Sequence, residues 1–140
     1  MGKILSIDYG EVRVGLAMSD ATNTIATGLD TLVIDRDKTK LYDKIKEILE
    51  NNNIDKIVIG YPKNMNGTLS KKTEEVDEVI EMLKPLNVEI VKWDERLTTV
   101  SAYSTMKALG IKQTQKNKYA DKLAASSILQ DYLDYLRSRI

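Results

Sequence analysis

The chain has neither cysteine nor histidine in its 140 residues. The first absence excludes disulfides, thiolate metal ligands and a thiol nucleophile. The second excludes Ser-His-Asp triads, imidazole general bases and most zinc sites. Any catalysis has to run on carboxylates, hydroxyls, lysines, arginines or a metal bound by oxygen. No apolar stretch approaches the length of a membrane span, and the N-terminus enters a strand without a leader of the signal-peptide type, so a soluble cytoplasmic protein with no membrane partner is expected. Internal repeats, low-complexity tracts and linkers are also missing. So is any excess of one charge: lysine plus arginine and aspartate plus glutamate both number 21. The global field therefore offers nucleic acid no attraction, which counts against a dedicated duplex binder. At this length a single domain over residues 1–140 buries roughly two thirds of its unfolded surface.

What is present is organised around Lys3 to Ser19. Ile4, Leu5 and Ile7 make a nearly continuous apolar run, as in a strand covered on both faces, and Tyr9-Gly10 supplies a turn. Beyond it Val12, Val14, Leu16 and Met18 alternate with Arg13, Gly15, Ala17 and Ser19, so the two strands form a tight hairpin. Asp8 stands where the first strand ends. Taken alone, an acid there is an ordinary turn former.

Ile25 to Ile34 reads as a third strand. Asp37 caps a helix over residues 38–52 with Leu41, Ile45, Ile48 and Leu49 on one face, and residues 55–60 form a fourth strand followed by a polar loop, Gly60 to Gly67. A second helix spans about Ser70 to Lys84, ended by Pro85. Val88 to Trp93 is the fifth strand, leading into Asp94-Glu95-Arg96 and a helix from about Thr98 to Leu109 that Gly110 terminates. A lysine-bearing loop, Lys112 to Lys118, then enters the last helix, with Asn117 as its candidate cap. Strands joined through helices run parallel, so the carboxyl ends of the first, fourth and fifth strands share one edge, where open α/β sheets bind ligands.

On the last helix Ala125, Ile128, Leu129, Tyr132 and Leu136 share one arc, and Asp121 lies inside it. A carboxylate among core residues needs a cation, a basic side chain or a backbone donor. The competing reading is an acid in the first exposed turn, favoured by the helix dipole. Asp8, Glu95 and Asp121 thus arrive at one edge from three distant points. An all-oxygen set suits Mg²⁺ or Mn²⁺, and two such ions roughly 4 Å apart can activate water against a phosphodiester. They would add four positive charges to a neutral chain, switching the site from repelling phosphate to attracting it.

The runs DYGEVRVGLA, GYPKNMNG, DERLTT and DKLAASSILQ resemble, in order and spacing, the YqgF-type Holliday-junction-resolvase-like family, over nearly the whole chain. The resemblance implies an α/β ribonuclease-H-like fold, with a five-stranded mixed sheet in the order 3-2-1-4-5, strand 2 antiparallel and helices on both faces. It implies a nuclease maturing the 5′ end of pre-16S ribosomal RNA. It places Asp8, Glu95 and Asp121 at the family's metal-binding positions and Arg13 and Arg96 at its basic ones. Two departures stand out: Gly28 occupies a place where the family is expected to have proline, and QTQKNKYA before Asp121 is less basic than expected.

Several side chains carry two readings. Arg13 either clamps a phosphate or neutralises the acids; Arg96 either does the same or pairs with Asp94. Tyr9 and Tyr61 either stack on bases or pack. Lys116, Lys118 and Lys122, with Lys112, either contact phosphates or are simply solvated. Trp93 reads as core. The leading expectation is a metal-dependent phosphodiesterase acting on pre-rRNA or branched DNA, as monomer or homodimer. The alternatives are a Holliday-junction resolvase, a non-catalytic RNA-binding or regulatory module on the same fold, and an ATPase of the sugar-kinase and actin type. The chain is too short for the last and lacks its second phosphate loop.

Overall fold

The computed structural model describes residues 2–62, 70–94 and 113–138, with side chains of the last segment from residue 122 onward. Its strands are β1 (Lys3–Asp8), β2 (Arg13–Ser19), β3 (Ala26–Gly28), β4 (Leu32–Val33), β5 (Ile54–Tyr61) and β6 (Glu89–Asp94). Its helices are α1 (Lys38–Asn51), α2 (Lys71–Leu83) and α3 (Gln113–Ser138). The sheet order is β3-β2-β1-β5-β6, with β4 pairing β2 off that path. β1 is antiparallel to β2 and parallel to β5, and β5 is parallel to β6. This is the expected order of strands.

The expected third strand is two strands separated by a bulge. Ala17 pairs with Gly28, whereas Val14 pairs with Leu32, so three steps on β2 face four on the β3–β4 segment. One extra residue reverses the alternation. Leu29 and Leu32, three apart, therefore both pack on the core, Ile34 is fully buried, and Val33 is exposed.

The pleat of β1 sorts its residues between two cores. Leu5, Ile7 and Tyr9 join Val14, Leu16, Ile57 and Ile59 under α1 and α2, which contribute Leu41, Ile45, Val76, Val79 and Leu83. On the opposite face, Ile4, Ala17 and Val58 meet Ala125, Ile128, Leu129, Tyr132 and Leu133 of α3. Both shorter helices start where the sequence says. The Asp37 side chain accepts from Thr39 N, and Ser70 and Thr73 form a reciprocal capping box. α2 passes at Pro85 into a 3₁₀ turn, Lys84–Leu86, closed by Asn87 in the left-handed region with φ 57°.

α3 departs from expectation. It begins at Gln113, so Lys116, Asn117 and Lys118 lie on the helix; the loop over 112–118 and the Asn117 cap are not found. Gln, Lys and Ala favour helix and no glycine or proline interrupts them, which lets the helix extend past the polar stretch. The helix expected over Thr98 to Leu109 lies outside the described residues.

Candidate functional site

Three strand ends lie level on the edge. Ile7 of β1 is opposite Ile59 of β5, and Gly60 and Tyr61 of β5 are opposite Trp93 and Asp94 of β6. Asp8, Tyr61 and Asp94 are the last residues of their strands. Asp8, half-buried, follows Ile4 and Ser6 on the α3 face, opposite Gly15, which brings no side chain over it.

The path of α3 decides what lies above Asp8. Gly28 meets Lys122, the Ser6 hydroxyl donates to Ala125 O at 2.8 Å, and Lys56 Nζ donates to Tyr132 Oη at 2.8 Å. Lys56 sits opposite Ile4 near the start of β1. Hence α3 runs antiparallel to β1. From the Ser6–Ala125 contact, Asp8 is two strand residues on, about 6.6 Å. Position 121 is four helix residues back, about 6 Å. The backbone therefore carries 121 toward the end of β1. It stands eight residues into α3, which removes the reading of Asp121 as an acid in an exposed first turn.

Arg13, half-buried, lies on the same face of β2, two residues from Gly15, with Val33 of β4 as its pair. Asp8 and Arg13 both have interaction partners. The turn between them is held from outside. Ile34 N and Asp35 N donate to Val12 O at 2.8 and 3.2 Å, and Arg36 N donates to Glu11 O at 2.7 Å. Asp35 and Arg36 accept φ of 46° and 66° to do so. A Cβ on Gly10 would come within 2.4 Å of Arg13 O, so this turn requires glycine.

Tyr61 is the last residue of β5 rather than part of a loop. Its ring is buried in the α1/α2 core, its hydroxyl donates to Asp77 Oδ2 at 3.0 Å, and Lys92 Nζ lies 4.7 Å from the ring centre. Burial, then the Asp77 hydrogen bond, push its pKa up. Tyr9 is likewise buried, and desolvation raises its pKa. Both rings pack, so neither offers the stacking platform the sequence left open. Trp93 is half-buried against Tyr132 and Tyr135, 5.7 and 5.8 Å between ring centres. Lys122 pairs with the exposed Asp30 at 3.3 Å, a contact worth little in solvent. Glu95 and Arg96, and the side chains of Lys116, Lys118 and Asp121, lie outside the described residues.

Sequence reasoning missed an acidic neighbour on the other face. Glu75 of α2 has its pKa raised by a hydrogen bond with Glu11, by burial, and by the Glu11 charge. Only the folded topology brings those two residues together.

Residues 2–135 match the family model described as RuvX, Holliday junction resolvase. The chain belongs to that family. A protein of Ruminiclostridium cellulolyticum named "Putative pre-16S rRNA nuclease" is 45% identical over 94% of this chain and 94% of its own. A relative of the same name from Clostridium botulinum is 44% identical, covering 96% and 98%. Among solved structures, Thermus thermophilus RuvC in complex with a Holliday junction substrate aligns with a TM-score of 0.56 at 14% identity, covering 96% of each chain. The fowlpox virus resolvase gives 0.51 at 16%, covering 99% of each. At such identities these structures speak for the fold, a ribonuclease-H-like one. The RuvX chain thus has the architecture that its four motifs resembled.

Proposed function

We propose that this RuvX protein is a metal-dependent nuclease, a single ribonuclease-H-like domain of the cytoplasm that processes the 5′ end of pre-16S rRNA. The observation that supports the site best is the place of Asp8: it ends β1 on the face crossed by α3, whose backbone, from its contacts with Ser6 and Gly28, runs on toward that strand end. Glu95 follows directly on Asp94, the last residue of β6. An all-carboxylate donor set with no thiol or imidazole in the chain fits Mg²⁺ or Mn²⁺, in a family of divalent-metal nucleases.

Bound there, one or two such cations supply positive charge against the phosphate and lower the pKa of water. Asp8, Glu95 and Asp121 hold them. Arg13, on the Asp8 face of β2, orients a non-bridging phosphate oxygen through its fork of N–H donors. Arg96, Lys116, Lys118 and Lys122 contact flanking phosphates. Tyr61 is left out because its ring is packed.

The names of the curated relatives favour ribosomal RNA, and the family's description favours a branched DNA junction as the second reading. Incubation with precursor 16S rRNA and with a four-way junction, each in Mg²⁺ or Mn²⁺, separates them. The expected result is cleavage of the RNA by wild type, and a loss of more than about 100-fold in Asp8→Asn with its circular dichroism unchanged. Wild-type rates from Asp8→Asn in Mn²⁺ would sink the metal-site reading. Cleavage of the junction alone would move the substrate to DNA.

A further inference from the structure

α3 is the element whose placement matters most, yet its apolar contacts are poor at fixing it. Leu129, Leu133, Ile128 and Ala125 bury surface against the sheet, and such contacts are non-directional. Something directional has to stop the helix from sliding.

The Ser6 hydroxyl on Ala125 O and Lys56 Nζ on Tyr132 Oη are two such contacts, and a two-point one is made at the sheet's outer edge. Along β3 the odd residues bond inward: Leu29 N donates to Leu16 O, and Ile25 O accepts from Asp20 N. The even residues therefore present their backbone groups outward, on the edge that no strand covers among the described residues. There the Gln130 side chain takes the place of a neighbouring strand. Its Oε1 accepts from Ala26 N at 3.0 Å, and its Nε2 donates to Thr24 O at 3.0 Å. One primary amide satisfies the donor and the acceptor that a strand residue would satisfy.

We propose that Gln130 is a positioning residue: by binding both outward backbone groups of β3 it sets the axial place of α3, and through it the position of residue 121 beside the end of β1. This rests on the metal-site reading above. Gln130 is nine residues from Asp121, about 13.5 Å along the helix. Gly28 at Lys122 and the Ser6 hydroxyl on Ala125 O lie between. Together these contacts leave α3 one register, and a ligand set displaced by about 1 Å is a poorer one.

The decisive variant is Gln130→Met, which keeps the length and packing of the side chain and removes both hydrogen bonds to β3 together with an exposed one from Nε2 to Asp134 Oδ1 at 3.1 Å. Gln130→Glu keeps the acceptor for Ala26 N but turns a carboxylate oxygen toward Thr24 O and the Asp134 carboxylate, both of which accept from Nε2 in the wild type. Leu49→Ala, on α1 and remote from the site, serves as a control for lost stability. Mn²⁺ affinity is measured by the decline of the free-ion paramagnetic resonance signal and by the rise in Tm with added Mn²⁺. Exchange of the Ala26 amide reports the contact itself. The expected result is faster Ala26 exchange and a 10- to 100-fold weaker Mn²⁺ affinity in Gln130→Met, at least as large a loss in Gln130→Glu, and wild-type affinity in Leu49→Ala. Affinity in Gln130→Met within twofold of wild type, or a loss matched by Leu49→Ala, overturns the positioning role while leaving the site intact. Absence of Mn²⁺ binding by the wild type overturns both. Should Gln130→Met not fold, Gln130→Glu decides the same question.

Discussion

Two acids near the ends of the hairpin respond to folding in opposite ways. Asp20 accepts from the Thr22 hydroxyl at 2.6 Å and from the amides of Thr24 and Ile25 at 2.7 and 3.1 Å. These bonds, the hydroxyl first, pull its pKa down to about 2. Its folded pKa is depressed, so its contribution is complete above about pH 4, where the unfolded carboxyl is ionised, and fades as pH falls toward 2. Asp20→Ala should lower Tm at pH 7 and leave less of the acid-limb slope between pH 4 and 2 in a series of melts. Glu75 has the reverse sign. Its pKa is raised by the Glu11 hydrogen bond and by burial, so the folded state holds its proton more tightly and loses stability as pH climbs above the ordinary glutamate range. Glu75→Gln should therefore raise Tm at pH 7 and change it little at pH 4. Asp8 and Asp121 stood out in sequence because each acid sits at a break or on a stripe of an apolar pattern. Tyr61 did not declare itself, since an aromatic ring with a polar tip at a strand end looks the same whether it stacks on a base or bonds Asp77.

Elements whose ends are written in local chemistry were legible. Asp37 reads as a cap and Ser70 as a helix start, and the structure caps both helices there, with Thr73 completing the Ser70 capping box. Ser70→Ala should cost about 1 kcal/mol in urea denaturation. Thr73→Val should cost more, because Thr73 Oγ1 also donates to Pro62 O and ties α2 to the end of β5. The β3–β4 bulge was not legible, because the extra residue is defined by the partner strand. It has a sharp test. Deleting Thr31 removes the extra residue, so strict alternation from Leu29 leaves Leu32 opposite Val14, Val33 outward and the fully buried Ile34 inward. The deletion should therefore lower the urea midpoint only modestly; a drop of the size expected from exposing a buried isoleucine, about 2 kcal/mol, would mean that the bulge is not a single extra residue. The start of α3 was misplaced for a related reason. Polar helix formers carry no hydrophobic period, and nothing local marks where such a helix begins.

On the scale of the whole molecule, a neutral chain is asked to bring its acids to polyanionic substrate. The 21 basic and 21 acidic residues leave no net field to help. Without cations, Asp8, Glu95 and Asp121 oppose the phosphate they are proposed to act on; with them, the same spot becomes the most positive on the edge. Removing one carboxylate should then have effects of opposite sign in the two conditions. Asp8→Asn deletes one negative charge, so in EDTA it should bind a fluorescent precursor-rRNA fragment a few-fold more tightly than wild type. In Ca²⁺, a hard cation of the same charge that also takes oxygen ligands, wild type should gain affinity and the variant should gain less, so that their order reverses. Anisotropy titrations at two salt concentrations check the cause. The wild-type affinity should fall more steeply with salt in Ca²⁺ than in EDTA, because more phosphate charge is then neutralised by the protein. An order that stays the same in both conditions would mean that the cations act elsewhere than beside Asp8.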